Sequence, residues 1–330
     1  MNLLINEELK GWLRAHHKTN VWKVVFDITH VWVVIVASVW FGLHYSTWWS
    51  YLIAVIMIGS RQHALGTLVH DGTHFTLAKN RAANDFICDI FCAFPIFIST
   101  RGFRIFHITH HRYTRTEKDP EVHAKDAHPD YIWLKTKWGT FSTLARDFLG
   151  INALGAFGNI FIWSDVPSLL RKPKEHWIKQ KMVPGIAEFL DRSHPKYKLK
   201  TNIKLRLVIY YGLLFGALTY FSCWKIFLGY WIVPMLSIVA GIIRMRGMSE
   251  HNGLKLETDM DTSRTTLWPS PVLGFLVTPF YVNYHLEHHL FPQVPYFHLK
   301  DLHQELMKQD IYKQKAAISR NYLSNLIIRD

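Results

Sequence analysis

Apolar positions crowd residues 24–43, resume at 48–66 after the short link "HYST", and recur as a second close pair at 205–223 and 226–243. A twenty-residue helix is about 30 Å long, the thickness of a bilayer's hydrocarbon core. The pattern therefore predicts four membrane-spanning helices in two tight hairpins. Two further apolar stretches are interrupted. Residues 86–100, "FICDIFCAFPIFIST", contain Asp89 and Pro95, and residues 147–163, "DFLGINALGAFGNIFIW", are short and rich in glycine. Both read as interfacial or re-entrant segments. Residues 164–204 are polar and basic and read as a connector. No internal repeat or low-complexity tract occurs. The fold class expected is an all-α integral membrane protein in one domain, residues 1–330, with a helical cap from residues 67–204 and 244–330.

Composition strengthens the lipid reading. Of the 330 residues 49% are hydrophobic and 15% aromatic, and the net charge is +13 with histidine neutral. A basic balance of this size admits nucleic acid, an anionic membrane surface or an acidic substrate as partner. The apolar runs turn the choice to the membrane and away from nucleic acid. Only Lys225 of the 38 Lys and Arg falls in the links 44–47 and 224–230. By the positive-inside rule both termini and the 67–204 segment face the cytoplasm, of a bacterial inner membrane or of the endoplasmic reticulum. Trp48 and Trp49 would sit at the outer interface. The three cysteines, Cys88, Cys92 and Cys223, form no C-x-x-C pair, so neither a disulfide framework nor a thiolate zinc site is expected. The N-terminal residues lack the layout of a signal peptide.

The chemistry lies in the histidines. "HDGTH" supplies His70 and His74, "HITHH" supplies His107, His110 and His111, and "HLEHH" supplies His285, His288 and His289; His251 stands alone in "SEHNG". With 20 histidines in the chain, the spacing H-x2-H-H is expected roughly 0.07 times by chance, and it occurs twice. On a helix, residues i, i+3 and i+4 share a face, so His107 can chelate together with His110 or His111. Adjacent His110 and His111 point about 100° apart and suit two different metals. Nine imidazoles are too many for one ion and enough for two. The ligand type fits iron, zinc, copper or nickel. Carboxylates near the boxes, Asp71, Glu117, Asp119, Glu250 and Glu287, are candidates to offset positive charge and orient the rings. Ligation needs neutral imidazole, which explains a cluster placed beside Arg112 and Arg115. Boxes at 70–74, 107–111 and 285–289 can meet only on one side of the bilayer, so 86–100 and 147–163 should not both cross.

At these residues the chain resembles the membrane fatty acid desaturase and hydroxylase superfamily. The likeness runs from about residue 61 to 303, and "THHRYTRTEKDPE" and "NYHLEHHLFPQVPYFHLKDLH" carry it beyond the histidines. The resemblance implies four membrane helices, a cytoplasmic cap and a non-haem di-iron centre that uses O2 as co-substrate, with the nine histidines named above as iron ligands. Members desaturate, hydroxylate, ketolate or decarboxylate long apolar substrates. The expected activity is introduction of a double bond into a fatty acyl chain, with the other three reactions as alternatives. Two positions depart from the acyl-CoA branch: the first box is H-x3-H instead of H-x4-H, and Gly247 stands where that branch has asparagine. Both favour a lipid-linked acyl chain, a free fatty acid or another apolar substrate over acyl-CoA. No "HPGG" segment occurs, so electrons are expected from a separate ferredoxin or cytochrome b5-type donor.

Several groups take lesser roles at this stage. His63 falls on the face of His70 and His74 and is expected to hydrogen-bond at the headgroup boundary. Asp27 and His30 are expected to be structural. Arg101, Arg104 and Lys174 are candidates to hold an anionic headgroup. His123, His128, His298 and His303 are expected at the surface. Two other classes compete: a zinc-dependent membrane hydrolase, and a metal-binding or transport protein, whose ligands would lie nearer the bilayer midplane.

Overall fold

The computed structural model describes residues 6–116, 119, 136–156, 160, 203–254, 258–267, 270–320 and 322–326. A short amphipathic helix, α1 (Glu7–His16), precedes α2 (Val21–Tyr45) and α3 (Trp48–Thr73). The turn between α2 and α3 is set by Ser46, in the left-handed region, and by Thr47, whose hydroxyl caps α3 while the Ser50 hydroxyl accepts from the Thr47 N–H. This reciprocal capping starts a helix sharply, and α2 and α3 pack against each other along their length. Next come α4 (Arg81–Cys88), α5 (Thr100–Tyr113), α6 (Lys137–Phe148), α7 (Ile203–Tyr220) and α8 (Trp224–His251). Five short α-helices follow among the described residues: α9 (Pro271–Val277), α10 (His285–Leu290), α11 (Leu299–Leu306), α12 (Asp310–Lys315) and α13 (Tyr322–Asn325). A two-residue parallel pair, β1 (Thr265–Thr266) with β2 (Ile318–Ser319), ties the last segment back.

Among the described residues, α2, α3 and α8 are long and apolar enough to cross a membrane. The remaining predicted span, 205–223, is a shorter apolar helix, Leu205–Tyr220; it ends where Ser222 turns into the left-handed region. The chain is thus a mostly helical membrane protein. α3 is its central post: 72% of its apolar window is buried by protein, against 33% for α2 and α8. The outer faces of α2 and α7 expose Phe26, Val33, Val36, Trp40, Val208 and Leu213, as lipid contact requires.

Segment 86–100 does not form a straight rod. Arg81–Ile96 and Thr100–Tyr113 meet at 92°. The helix loosens into a π turn at Asp89–Ala93, tightens at Phe94–Ile96, and breaks where Phe97 takes φ 61°. The break has named supports. Asp89 accepts from the Thr100 N–H at 3.0 Å and pairs with Arg206 at 3.2 Å. Trp32 and Trp231, stacked at 5.6 Å, donate their indole N–H groups to the carbonyls of Phe91 and Pro95. The two interruptions seen in the sequence are therefore the residues at which the helix bends. Segment 147–163 likewise forms no single long helix, since α6 stops at Phe148 and Gly150 adopts φ +72°; residues 157–159 and 161–163 lie outside the described residues.

Three titratable groups within the spans have partners on other elements or on the next turn. Asp27 is buried and accepts from Lys23 at 2.5 Å and from the Tyr296 hydroxyl, which ties α2 to the C-terminal region. His30 lies edge-on to Phe275. His63 is not at a headgroup boundary: it is buried, and its Nε2 lies 3.0 Å from the guanidinium of Arg246 on α8. The apolar stretch around His63 hid this pairing, because its partner is 183 positions away.

Candidate metal centre

Each histidine box sits at the end of a rigid element or on a short helix packed against one. His70 occupies the last turn of α3, and His74 follows immediately as its C-cap. His107, His110 and His111 lie on α5, His251 closes α8, and α10 carries His285, His288 and His289. The first two elements are locked together by Arg104. Its guanidinium is buried, forks onto Asp85 at 2.5 and 3.1 Å, and donates to the carbonyls of Gly72 and Thr73, both at 2.9 Å. Arg104 therefore fixes the backbone of the first box to the helix of the second. It is not placed to hold a headgroup.

The nine rings form one continuous assembly with two centres. His70, His107, His111 and His288 bring one nitrogen each within 4.8 Å of one another, and so do His110, His251, His285 and His289. In the first set His111 Nε2 lies 2.9 Å from His107 Nε2 and 3.0 Å from His288 Nε2, with His107 to His288 at 3.4 Å. In the second, His285 Nε2 lies 3.0 Å from His251 Nε2 and 3.1 Å from His289 Nε2. The His74 ring stands 4.8–5.0 Å from those of His111, His288 and His107, on the first centre. Stacked His111 and His289, 4.3 Å apart, join the two sets. The adjacent pairs divide as their angular separation requires: His111 and His288 go to one centre, His110 and His289 to the other.

Three nitrogens converging at about 3 Å cannot all hydrogen-bond one another, since each neutral ring carries a single N–H. A cation about 2.1 Å from each would see these separations as angles of roughly 90–110°, normal for imidazole ligation. Buried His74 Nε2 also has no hydrogen-bond partner among the described residues. The donor set thus fits metal ions. Burial holds His107, His111, His285, His288 and His289 well below the ordinary histidine value, and the neighbouring imidazoles add to the effect. His74 is lowered to about 3 by burial and then by Arg104. The rings are consequently neutral, the form that ligates.

Supporting contacts orient particular rings. Asp119 accepts from His110 Nδ1 at 3.0 Å and from the Arg115 backbone N–H at 2.6 Å. Thr262 O accepts from His251 Nδ1 at 3.2 Å. In both rings this places the proton on Nδ1 and presents Nε2 to the cluster. Arg115 donates to the His251 carbonyl and fixes the end of α8. Glu250 lies 3.7 Å from His285 and is held by Arg246 at 2.6 Å. Asp71 lies 3.8 Å from His70. Glu287 hydrogen-bonds none of the nine rings among the described residues; its carboxylate accepts from His303, Tyr312 and Thr265. Glu117, Lys174, His123 and His128 lie outside the described residues.

Two surface expectations change. His303 is buried and donates to Glu287, and half-buried His298 packs edge-on against His16 and Trp12 of α1. Thr265 and Tyr312 carried no signal in the sequence, because a lone hydroxyl acquires meaning only from its partner. The spacing of His303 after the third box is likewise uninformative without the fold.

The sequence model of the family described as "Fatty acid desaturase" matches residues 46–322. A relative of known name, dihydrorhizobitoxine desaturase of Bradyrhizobium elkanii, is 27% identical over 278 residues, which cover 82% of this chain and 72% of the relative.

Proposed function

This chain belongs to the fatty acid desaturase family, and on that premise we propose that it is an O2-dependent di-iron membrane enzyme that introduces a double bond into a long acyl chain of a fatty acid or lipid. The coarser part is secure: it is a membrane oxidoreductase of the desaturase superfamily. One observation carries the rest: the nine histidines converge as two four-nitrogen sets with His74 beside the first. In this reading His70, His74, His107, His111 and His288 hold one iron, and His110, His251, His285 and His289 hold the other. Iron bound there would activate O2 and, with two electrons from a separate ferredoxin or cytochrome b5-type donor and two protons from solvent, allow two hydrogens to leave an unactivated CH2–CH2 unit as O2 is reduced to two waters.

The protein's own part is positioning and exclusion. Buried imidazoles stay neutral and present lone pairs. Asp119 and the Thr262 carbonyl fix the tautomers of His110 and His251. Arg104 and Arg115 hold the first and second boxes and the end of α8 in register. The ends of α3 and α8 bring His70 and His251 into the one histidine assembly, and Tyr296 ties the start of α2 to the C-terminal region; by the positive-inside rule we read that side as cytoplasmic. Whether a substrate carbon is desaturated or hydroxylated depends on where it sits against the centre, and shifts on the order of 1 Å matter.

The named relative acts, by its name, on dihydrorhizobitoxine, so the assay must look beyond fatty acids. The chain is expressed in a host of defined lipid content, and lipid and small-molecule extracts are compared by mass spectrometry. An aerobic product lacking two hydrogens supports the reading, and its identity names the substrate. A hydroxylated or chain-shortened product moves the enzyme to a sister reaction. Undiminished activity under strict anaerobiosis excludes O2 chemistry and leaves a hydrolase.

A further inference from the structure

The third box lies on a helix that cannot hold itself in place. α10 has six residues, His285–Leu290, and no side chain caps its N-terminus. So short a helix is unstable alone and takes its orientation from tertiary contacts. The residues before it, Phe280 and Tyr281, are both in the left-handed region at φ 57°, so the chain enters under local constraint.

His285, His288 and His289 share one face of α10. Glu287, two positions from His285, points about 200° away. It is completely buried. Its Oε1 accepts from the Tyr312 hydroxyl at 2.6 Å and from His303 Nδ1, and its Oε2 accepts from the Thr265 hydroxyl. The three donors come from three elements, α12, α11 and β1. Thr265 is itself held by the parallel pairing with Ile318 and by its N–H to the Ala317 carbonyl at 3.0 Å. Burial and the adjacent carboxylate push the Tyr312 phenol up, so it stays a neutral donor. A buried carboxylate with three partners has one arrangement that satisfies it, and leaving it unsatisfied is costly.

We propose that Glu287 is a positioning residue for the metal centre, through which the C-terminal segment 299–319 clamps the back of α10 and sets the aim of all three third-box imidazoles. The inference rests on the reading of the histidines as metal ligands. It has a distinctive consequence. α10 feeds both centres, through His288 on one side and through His285 and His289 on the other. Loosening the clamp must weaken both metals together, although none of its hydrogen bonds reaches either set.

The test uses the purified, metal-free full chain in detergent, titrated with cobalt(II) and followed by its visible ligand-field bands. Tyr312→Phe and Thr265→Val each delete one donor with little change in shape; Thr265→Ser restores the hydroxyl; Lys313→Ala alters an exposed neighbour. The expected result is a fall in cobalt affinity of roughly tenfold or more at both sites in the first two variants, with shifted bands. Thr265→Ser and Lys313→Ala should match the parent. Unchanged affinity and spectrum, loss at one site only, or failure of both donor-deleting variants to fold overturns the proposal, the last because it makes the network a folding element. If the parent chain binds no cobalt, the metal reading itself fails, and that outcome is separate.

Discussion

His111 and His288 are 177 positions apart in the chain, and their Nε2 atoms lie 3.0 Å apart. One comes from α5 and the other from α10, and His70 at the end of α3 joins them. That contact fixes the relative placement of three elements, and the neighbours of its two members, His110 and His289, turn to the second set. The division leads directly to a measurable difference between adjacent residues.

His288→Ala and His289→Ala should each cost one metal. Each removes a ligand from a different set of four. The parent is expected to hold two iron ions per chain and each variant about one, read by elemental analysis of purified, iron-loaded protein. Loss of both ions from either variant, or no loss, would contradict the assignment of two separate centres.

Asp119→Asn should weaken metal binding at the second centre roughly tenfold to a hundredfold and leave the first near its parent value. The carboxylate fixes the His110 tautomer and also accepts from the Arg115 N–H. Asparagine keeps an acceptor for one of these contacts but not the charge. Stepwise cobalt titration with two resolved affinities reads the result.

Arg104→Leu should destabilise the protein by about 3–5 kcal/mol, because it strands the buried Asp85 carboxylate. It also takes a donor from the carbonyls of Thr73 and Gly72, the latter keeping Asn84 Nδ2 at 2.9 Å. Coupled replacement of Asp85 by Leu should recover part of the loss. Thermal unfolding of the detergent-solubilised variants measures both. Arg104→Leu with parent stability but impaired binding of a charged lipid would restore the headgroup role that its burial argues against.

Metal-free protein should lose stability in mild acid. Burial, then Arg104, lowers His74 to about 3, and burial followed by neighbouring imidazoles holds His285, His288 and His289 well below 6.5. Between the folded and unfolded values the unfolded chain binds more protons, so stability rises with pH there. The contribution is fully present above about 6.5 and is lost as pH falls toward the folded value. The metal-free chain should therefore unfold at a lower temperature at pH 5 than at pH 7.5, and the loaded chain should release metal over the same range as protons compete for the ligands. A melting temperature that is flat or higher at pH 5 would refute this.

Much of this protein is local and so can be read from the chain alone. A membrane helix is a run of apolar residues, and Asp89 and Pro95 mark the bend at 86–100 because a buried charge and a missing N–H act where they stand. The histidine boxes are visible for the same reason: helical spacing places i, i+3 and i+4 on one face before any tertiary contact forms. The family, too, follows from those short motifs. Tertiary structure decided whatever depends on partners far apart in sequence. It divided the imidazoles into two sets, turned Arg104 from a candidate headgroup ligand into a brace, and paired His63 with Arg246. It also buried His303 against Glu287, and gave Thr265 and Tyr312 a role that no spacing announces. A hydrogen bond is a property of two groups, and where those groups lie tens or hundreds of residues apart, only the folded chain brings them within 3 Å.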